Sequence, residues 1–278
     1  MRGRRMRLGL LTVLGLARRG FFIPHRYAHT LPRLGHNQSY EPLEAVMTAA
    51  SEQFEAVLEE IDKLAVDLSA LGNEPPPAPR WKQDWFPTLD AAVAYTMVRV
   101  EQPKRIIEVG SGHSTRFMKR ASDDGDLETH ITAIDAQPNR FSDKLNIEVI
   151  CSPLRQVDRK VFSTISAGDI LFIDSSHILM PGSDVDDLFN RIIPTLPSGV
   201  LLHIHDIFLP DDYPANWEWR GYNEQQGVAP MITSGAFQIL FASHFVKTRM
   251  AKILASSAVA RLPNNLDSLP ASLWLKKI

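Results

Sequence analysis

Four groups of residues in this chain have the types and spacing for chemistry. The first is Arg105-Ile-Ile-Glu-Val-Gly-Ser-Gly-His-Ser-Thr115. A short apolar run (Ile106, Ile107, Val109) leads into a loop with Gly110, Ser111 and Gly112, and Glu108 sits just inside the end of the run. Glycines in such a loop let backbone N–H groups approach a ligand closely, and a helix that follows offers its positive N-terminus. The second group, His130-Ile-Thr-Ala-Ile-Asp135, ends in a carboxylate 25 residues past Gly110. In an open parallel sheet such an acid accepts hydrogen bonds from the hydroxyls of a ribose. The third, Asp169-Ile-Leu-Phe-Ile-Asp-Ser-Ser-His177, delivers Asp174 to the end of a buried run with His177 close behind. The fourth, Gly199-Val-Leu-Leu-His-Ile-His-Asp206, places His203 and His205 on one face of a strand and Asp206 at its rim.

The elements around these groups must form a parallel sheet. Strands over 105–109, 130–135, 147–150, 169–174 and 199–205 alternate with helices over 114–122, 138–144, 154–165 and 184–195, preceded by a helix from Thr88 to Val100. Alternation of this kind argues an α/β fold with helices on both faces of the sheet. Runs at 237–243 and 272–275 add two further strands. Ligands of such sheets sit outside the carboxyl ends of the strands, where Asp174, His177, His205 and Asp206 fall. Oxygen and imidazole donors suit a divalent ion, so Asp174, His205 and Asp206 could form a metal site. His177 titrates near neutral pH in its ordinary state and is the best general-base candidate. His203 reads as a core histidine. Beyond the fifth strand, Pro210 to Gln225 is dense in aromatic and hydrogen-bonding groups. It suits a lid over a sugar or a planar hydroxylated acceptor, or a loop packing its own aromatics.

The chain has 278 residues, enough for one large domain and an appendage. The expected division is an N-terminal arm, helix and Pro-rich linker over 1–79, then a ligand-binding domain over 80–278. A net charge of −2 gives no global case for nucleic acid. The one cysteine, Cys151, cannot pair internally and is expected as a small buried residue, which fits a reducing cytoplasm. Arginines before the apolar run Leu8–Ala17 read as a basic amphipathic helix suited to weak contact with an anionic membrane surface or to docking on the protein itself. No run is long enough for a transmembrane helix. Leu43, Met47, Ala50, Phe54, Val57, Ile61, Leu64, Leu68 and Leu71 step by fours and threes, a heptad seam that could form a coiled coil with a second copy or pack on its own domain.

The acid-x-Gly-x-Gly run of Glu108, Gly110 and Gly112 resembles the first motif of class I S-adenosylmethionine (SAM) methyltransferases. Thr115 stands where a dinucleotide fingerprint has its third glycine. With Phe86-Pro, FIDSSH, HIHDIFLP and YNEQ, residues 80 to 278 resemble the bacterial methyltransferase 24 type. The resemblance implies a Rossmann-like seven-stranded methyltransferase sheet whose last strand is antiparallel. It implies that Gly110, Ser111 and Gly112 pass under the methionine part of SAM, that Glu108 holds its amino group and that Asp135 holds the ribose. Asp174 and His177 also match the Asp-x-x-His of metal-dependent sugar O-methyltransferases, where the Asp binds Mg²⁺ and the His is the base. The second motif departs: His205-Asp206 replaces two acids, which shifts preference from Mg²⁺ toward Mn²⁺, Fe²⁺ or Zn²⁺. The expectation is an O-methyltransferase acting on a small hydroxylated substrate, a sugar or a secondary metabolite. An iron-dependent hydroxylase of the same fold and a non-catalytic SAM-binding scaffold are the alternatives.

Overall fold

The computed structural model describes residues 2–138, 144–264 and 268–278. Its centre is β1 (Arg105–Val109), whose Ile106, Ile107 and Val109 are buried. β1 pairs in parallel with β2 (His130–Ile134) on one side and β4 (Ile170–Ile173) on the other. β3 (Glu148–Ile150) extends the sheet beyond β2, and β5 (Leu201–Ile204) extends it beyond β4. Two more strands close it, β7 running against all the others, giving the order β3-β2-β1-β4-β5-β7-β6. Here β6 is Phe237–Ala242 and β7 is Leu273–Lys277. This is the expected seven-stranded sheet with an antiparallel last strand.

The register positions the site. Val109 lies opposite Ile134 and Ile173, and Ile173 lies opposite Ile204. The next residues, Gly110, Asp135, Asp174 and His205, therefore leave the sheet along one edge. The strand order reverses between β1 and β4, which opens a crevice at that edge.

The helices follow the sequence less closely than the strands. α5 (Thr88–Glu101) and α6 (His113–Asp124) form as expected and pack together. The helix expected over 154–165 is two 3-10 turns, Leu154–Gln156 and Arg159–Thr164. Asp158 breaks it by accepting a hydrogen bond from the Lys160 N–H. The helix expected over 184–195 starts as α7 (Asp184–Asp187), widens into a π turn over Leu188–Ile192, and ends at Pro194, which has no N–H to donate. Residues 139–143 of the helix expected over 138–144 lie outside the described residues. Cys151 is exposed rather than buried.

The heptad seam is not one helix. It breaks at Ala50 and Leu64 into α2 (Glu41–Ala49), α3 (Ser51–Lys63) and α4 (Ala65–Ala70). Each break turns the apolar face back onto the chain's own core: Met47, Phe54, Ile61 and Leu68 are fully buried. Phe54 packs edge-on against Phe241 at 5.7 Å and Phe245 at 5.8 Å. Of the two occupants the seam allowed, the chain's own domain covers these residues. α1 (Arg2–Val13) lies apart from this core. Among the described residues, no helix is long and apolar enough to cross a membrane.

Candidate active site

The glycine loop leaves β1 with Gly110 at φ +99°, a conformation that favours glycine. Its N–H donates to the Ile134 carbonyl at 2.9 Å. A Cβ on Gly110 would lie 2.1 Å from the Asp174 carbonyl oxygen. The Asp174 N–H in turn donates to the Val109 carbonyl at 2.9 Å, so the ends of β1 and β4 are wedged together. Gly112 differs. Its backbone is extended, and a Cβ there would meet nothing within 4 Å. Open space therefore lies above Gly112, beside the N-terminus of α6.

Ser111 donates from its hydroxyl to Asp135 at 2.7 Å, and the Gln137 N–H donates to the other Asp135 oxygen at 2.8 Å. Two carboxylate oxygens offer about four lone-pair sites, and among the described residues these two side-chain contacts use half of them. Glu108 does not lie where the resemblance placed it. Its carboxylate is fully buried and accepts hydrogen bonds from Ser114 at 2.5 Å and Thr115 at 2.6 Å. Burial pushes its pKa up to about 8, against the pull of those two hydroxyls. The carboxylate is closed off from solvent beneath α6 and tied to two of its residues, so Glu108 fastens the helix to β1. Thr115 also accepts from the Gly112 N–H at 2.9 Å, a contact a glycine at 115 could not make.

Beyond the ends of β4 and β5, four side chains converge. His177 Nε2 lies 3.3 Å from Asp174 and 3.4 Å from Asp206. His205 Nδ1 lies 3.4 Å from Asp174 and 3.6 Å from Asp206. His177 and Asp206 both hold left-handed backbone, φ 58° and 57°, a strain that clusters at functional sites. The other ring nitrogen of His177 is 2.8 Å from Glu224, whose carboxylate is fully buried. Burial disfavours the charged imidazole of His177, but hydrogen bonds to Asp174 and Glu224 outweigh it and raise the pKa well above the usual value. Burial pushes the Asp174 carboxyl up, and the two imidazoles overcome this and hold it well below the carboxylate range. His205 is braced from behind by Asp90 at 3.6 Å, and Asp90 also accepts from the Ala271 and Ser272 N–H groups.

These donors have the right chemistry for a divalent ion. As the chain stands, however, they close on one another, and among the described residues no group of three is arranged to hold a metal. His203 stacks on Phe172 at 3.6 Å and pairs with the Ser272 hydroxyl; burial lowers its pKa well below the usual value, so it is a neutral core residue.

Glu224 and Asp90 had no assigned role in the sequence. Glu224 sat inside the aromatic run Tyr222-Asn-Glu-Gln225, and Asp90 inside a helix about 115 residues before its partner.

The lid is built from its own aromatics. Phe208 and Tyr213 are fully buried, and Trp217 meets Phe208 at 5.0 Å and Tyr222 at 5.9 Å, edge-on in both cases. Tyr222 also packs on the His177 ring at 4.6 Å. The N-terminal arm holds the lid down. Asp212 accepts from the Gly35 N–H at 3.0 Å and from Asn37 at 2.7 Å, and the Tyr40 N–H donates to Pro210 at 2.8 Å. Arg249 grips Asp211 with two nitrogens, at 2.5 and 2.7 Å, and reaches Ser39 and Glu44 of the arm. A cleft of about 810 Å³ runs between lid and arm, with Ile178, Asn223 and Trp219 on one wall and Leu8, Phe21 and Phe22 on the other.

Residues 107–207, the stretch from β1 to just past β5, match the family model of a methyltransferase domain. No curated protein matches the sequence. Among solved structures, the chain is similar to a Podospora anserina methyltransferase bound to S-adenosylhomocysteine (SAH), with 14% identity, 93% of this chain and 99% of that one covered, and a TM-score of 0.43. It is similar to a Bacillus cereus O-methyltransferase in complex with SAH, with 14% identity, coverage of 72% and 90%, and a TM-score of 0.38. It is also similar to the methyltransferase MycE of the mycinamycin pathway, in complex with Mg, SAH and mycinamycin VI, with 20% identity, coverage of 65% and 47%, and a TM-score of 0.36. TM-scores below one half are too low to bear on function.

Proposed function

We propose that this protein transfers the sulfonium methyl of SAM to a hydroxyl on a sugar or secondary-metabolite scaffold. SAM lies over Ser111 and Gly112 with its ribose on Asp135, and residues 80–278 form the domain that binds it. Residues 1–79 clamp the lid. The acceptor enters the cleft between lid and arm. Its hydroxyl proton passes to Nε2 of the neutral His177 ring, the scarcer form at neutral pH because its acidic neighbours raise the pKa; the oxygen attacks the methyl carbon in line, and the C–S bond breaks to leave a methyl ether and SAH. Asp174 and Asp206 flank Nε2 and orient the hydroxyl. Glu224 fixes the ring so that Nε2 faces the reacting oxygen. Positioning supplies most of the acceleration.

One observation carries this reading. The backbone of Asp174 is wedged against Gly110, so the group beside the base and the loop under the donor are built as one unit. The test uses methyl-labelled SAM and a panel of hydroxylated glycosides, with wild type and His177→Asn. Label should enter an acceptor with wild type only, while the variant still binds SAH. Equal transfer by both proteins removes His177 from the mechanism.

A divalent ion at Asp174, His205 and Asp206 is a second reading, supported by the oxygen and imidazole chemistry of the donors; His205 Nδ1, now 3.4 and 3.6 Å from the two acids, would have to turn with them to admit it. Such an ion would supply Lewis acidity to the acceptor oxygen. It would also make the hydroxylase reading testable, by oxygen uptake without consumption of SAM. Metal analysis of protein purified without oxygen decides whether any ion is held.

A further inference from the structure

We infer that residues 6–23 seat this protein on an anionic lipid surface. The inference concerns how the protein is placed and rests on the proposed function only for the identity of the cleft.

The charge of the chain is divided unevenly. Residues 1–40 hold eight arginines and no acidic residue, which leaves 22 basic residues against all 32 acids in the rest. The same segment carries most of the exposed large apolar side chains among the described residues. On α1, Met6 and Leu10 stand one turn apart, and Leu14 follows at the same spacing. Their exposures are 68%, 54% and 66%. Leu16 is 72% exposed. The opposite side of the segment is not free: Leu8 and Thr12 are half-buried and line the cleft. The segment also has a defined shape. Gly15 turns the chain at φ +69°, the Leu16 and Ala17 N–H groups bond back to the Leu11 carbonyl, and the Arg19 N–H bonds to the Thr12 hydroxyl at 3.0 Å. One face thus meets the protein, and the other presents apolar side chains among arginines.

Large aliphatic side chains among arginines fit the boundary between phospholipid headgroups and acyl chains. They fit a phosphate backbone poorly, because nucleic acid offers nothing to bury Leu10, Leu14 or Leu16. A second copy of the same segment would be repelled by its own charge. Seated in this way, the arm would hold the mouth of the cleft at the lipid surface.

Co-sedimentation of the full chain with vesicles tests the inference. Vesicles of phosphatidylcholine with about a third phosphatidylglycerol should bind the protein at least tenfold more tightly than pure phosphatidylcholine, and salt should weaken the binding. Leu10→Glu with Leu14→Glu, and separately Arg18→Glu, should each reduce binding to anionic vesicles about tenfold or more. These residues lie outside the SAM loop and the cleft, so affinity for SAH should stay at the wild-type value and report an intact fold. Equal binding to neutral and anionic vesicles, or binding unchanged in both variants, overturns the inference. So does preferential binding to duplex DNA, or a dimer lost on the Leu10/Leu14 change. A failure of methyl transfer leaves the vesicle result unaffected, so the two readings fall separately.

Discussion

The two glycines of the SAM loop should respond to alanine in opposite ways. At Gly110 a Cβ would sit 2.1 Å from the Asp174 carbonyl oxygen, with φ at +99°. Unfavourable backbone of this kind costs on the order of 1–3 kcal/mol. The overlap adds to it, because relief requires β1 and β4 to part by about an ångström and the bond from the Asp174 N–H to the Val109 carbonyl to lengthen. Gly110→Ala should therefore lose about 3 kcal/mol of stability, a fall in Tm of about 6–12 °C for a chain near this size. At Gly112 the backbone is extended and a Cβ meets nothing within 4 Å. Gly112→Ala should change stability by no more than about 0.5 kcal/mol. It should nevertheless lower SAH affinity at least tenfold, about 1.4 kcal/mol, because the methyl occupies space the ligand needs. Thermal melts and titration calorimetry with SAH measure both quantities. Wild-type affinity in Gly112→Ala would refute the placement of the cofactor over this loop. Wild-type stability in Gly110→Ala would refute the wedge between Gly110 and Asp174.

Glu224→Gln keeps the shape but weakens the hold on His177 Nδ1; it should lower kcat by about 10- to 100-fold with little change in acceptor KM, a split that steady-state kinetics resolves. Phe54→Ala empties a site closed by Phe241 and Phe245 and should cost about 3–5 kcal/mol in urea melts. Glu108 gives a pH dependence. Its folded pKa is pushed up to about 8 from 4.5, so between those values the folded chain keeps a proton that the unfolded chain has lost. Its contribution is complete below about pH 4.5 and is lost as pH rises through 8. Glu108→Gln should therefore melt like wild type near pH 4.5 and become the more stable protein by pH 8.5, by at most about 5 kcal/mol. Parallel curves for the two proteins would show that Glu108 does not titrate in this way.

The strands could be read from the sequence because each is a short apolar run that ends in a polar or glycine residue. Buried parallel strands such as Ile170–Ile173 leave little else to expect. Their register was not stated by any residue, yet it is what levels Gly110, Asp135, Asp174 and His205 along one edge. The convergence of Asp174, His177, His205 and Asp206 was legible for the same reason, since all follow strand ends. What failed was inference about partners. Glu108 matches the motif, but a sequence does not show that Ser114 and Thr115 curl back to occupy both of its oxygens. Glu224 and Asp90 meet their histidines only through the fold. The heptad seam predicted an apolar face correctly and left its occupant open between a second copy and the chain's own domain, because breaks at Ala50 and Leu64 carry no proline or glycine to announce them.

Asp212, Pro210 and Asp211 join the lid to Gly35, Asn37, Tyr40 and Ser39 through backbone and charged contacts. A roof bolted to its own doorstep cannot lift alone. Any swing that admits an acceptor or frees a methylated product must carry the first forty residues along or break these bonds first. Amides on both segments should then exchange with solvent at matched rates, as one opening unit, and clipping the arm would leave a gate without its latch.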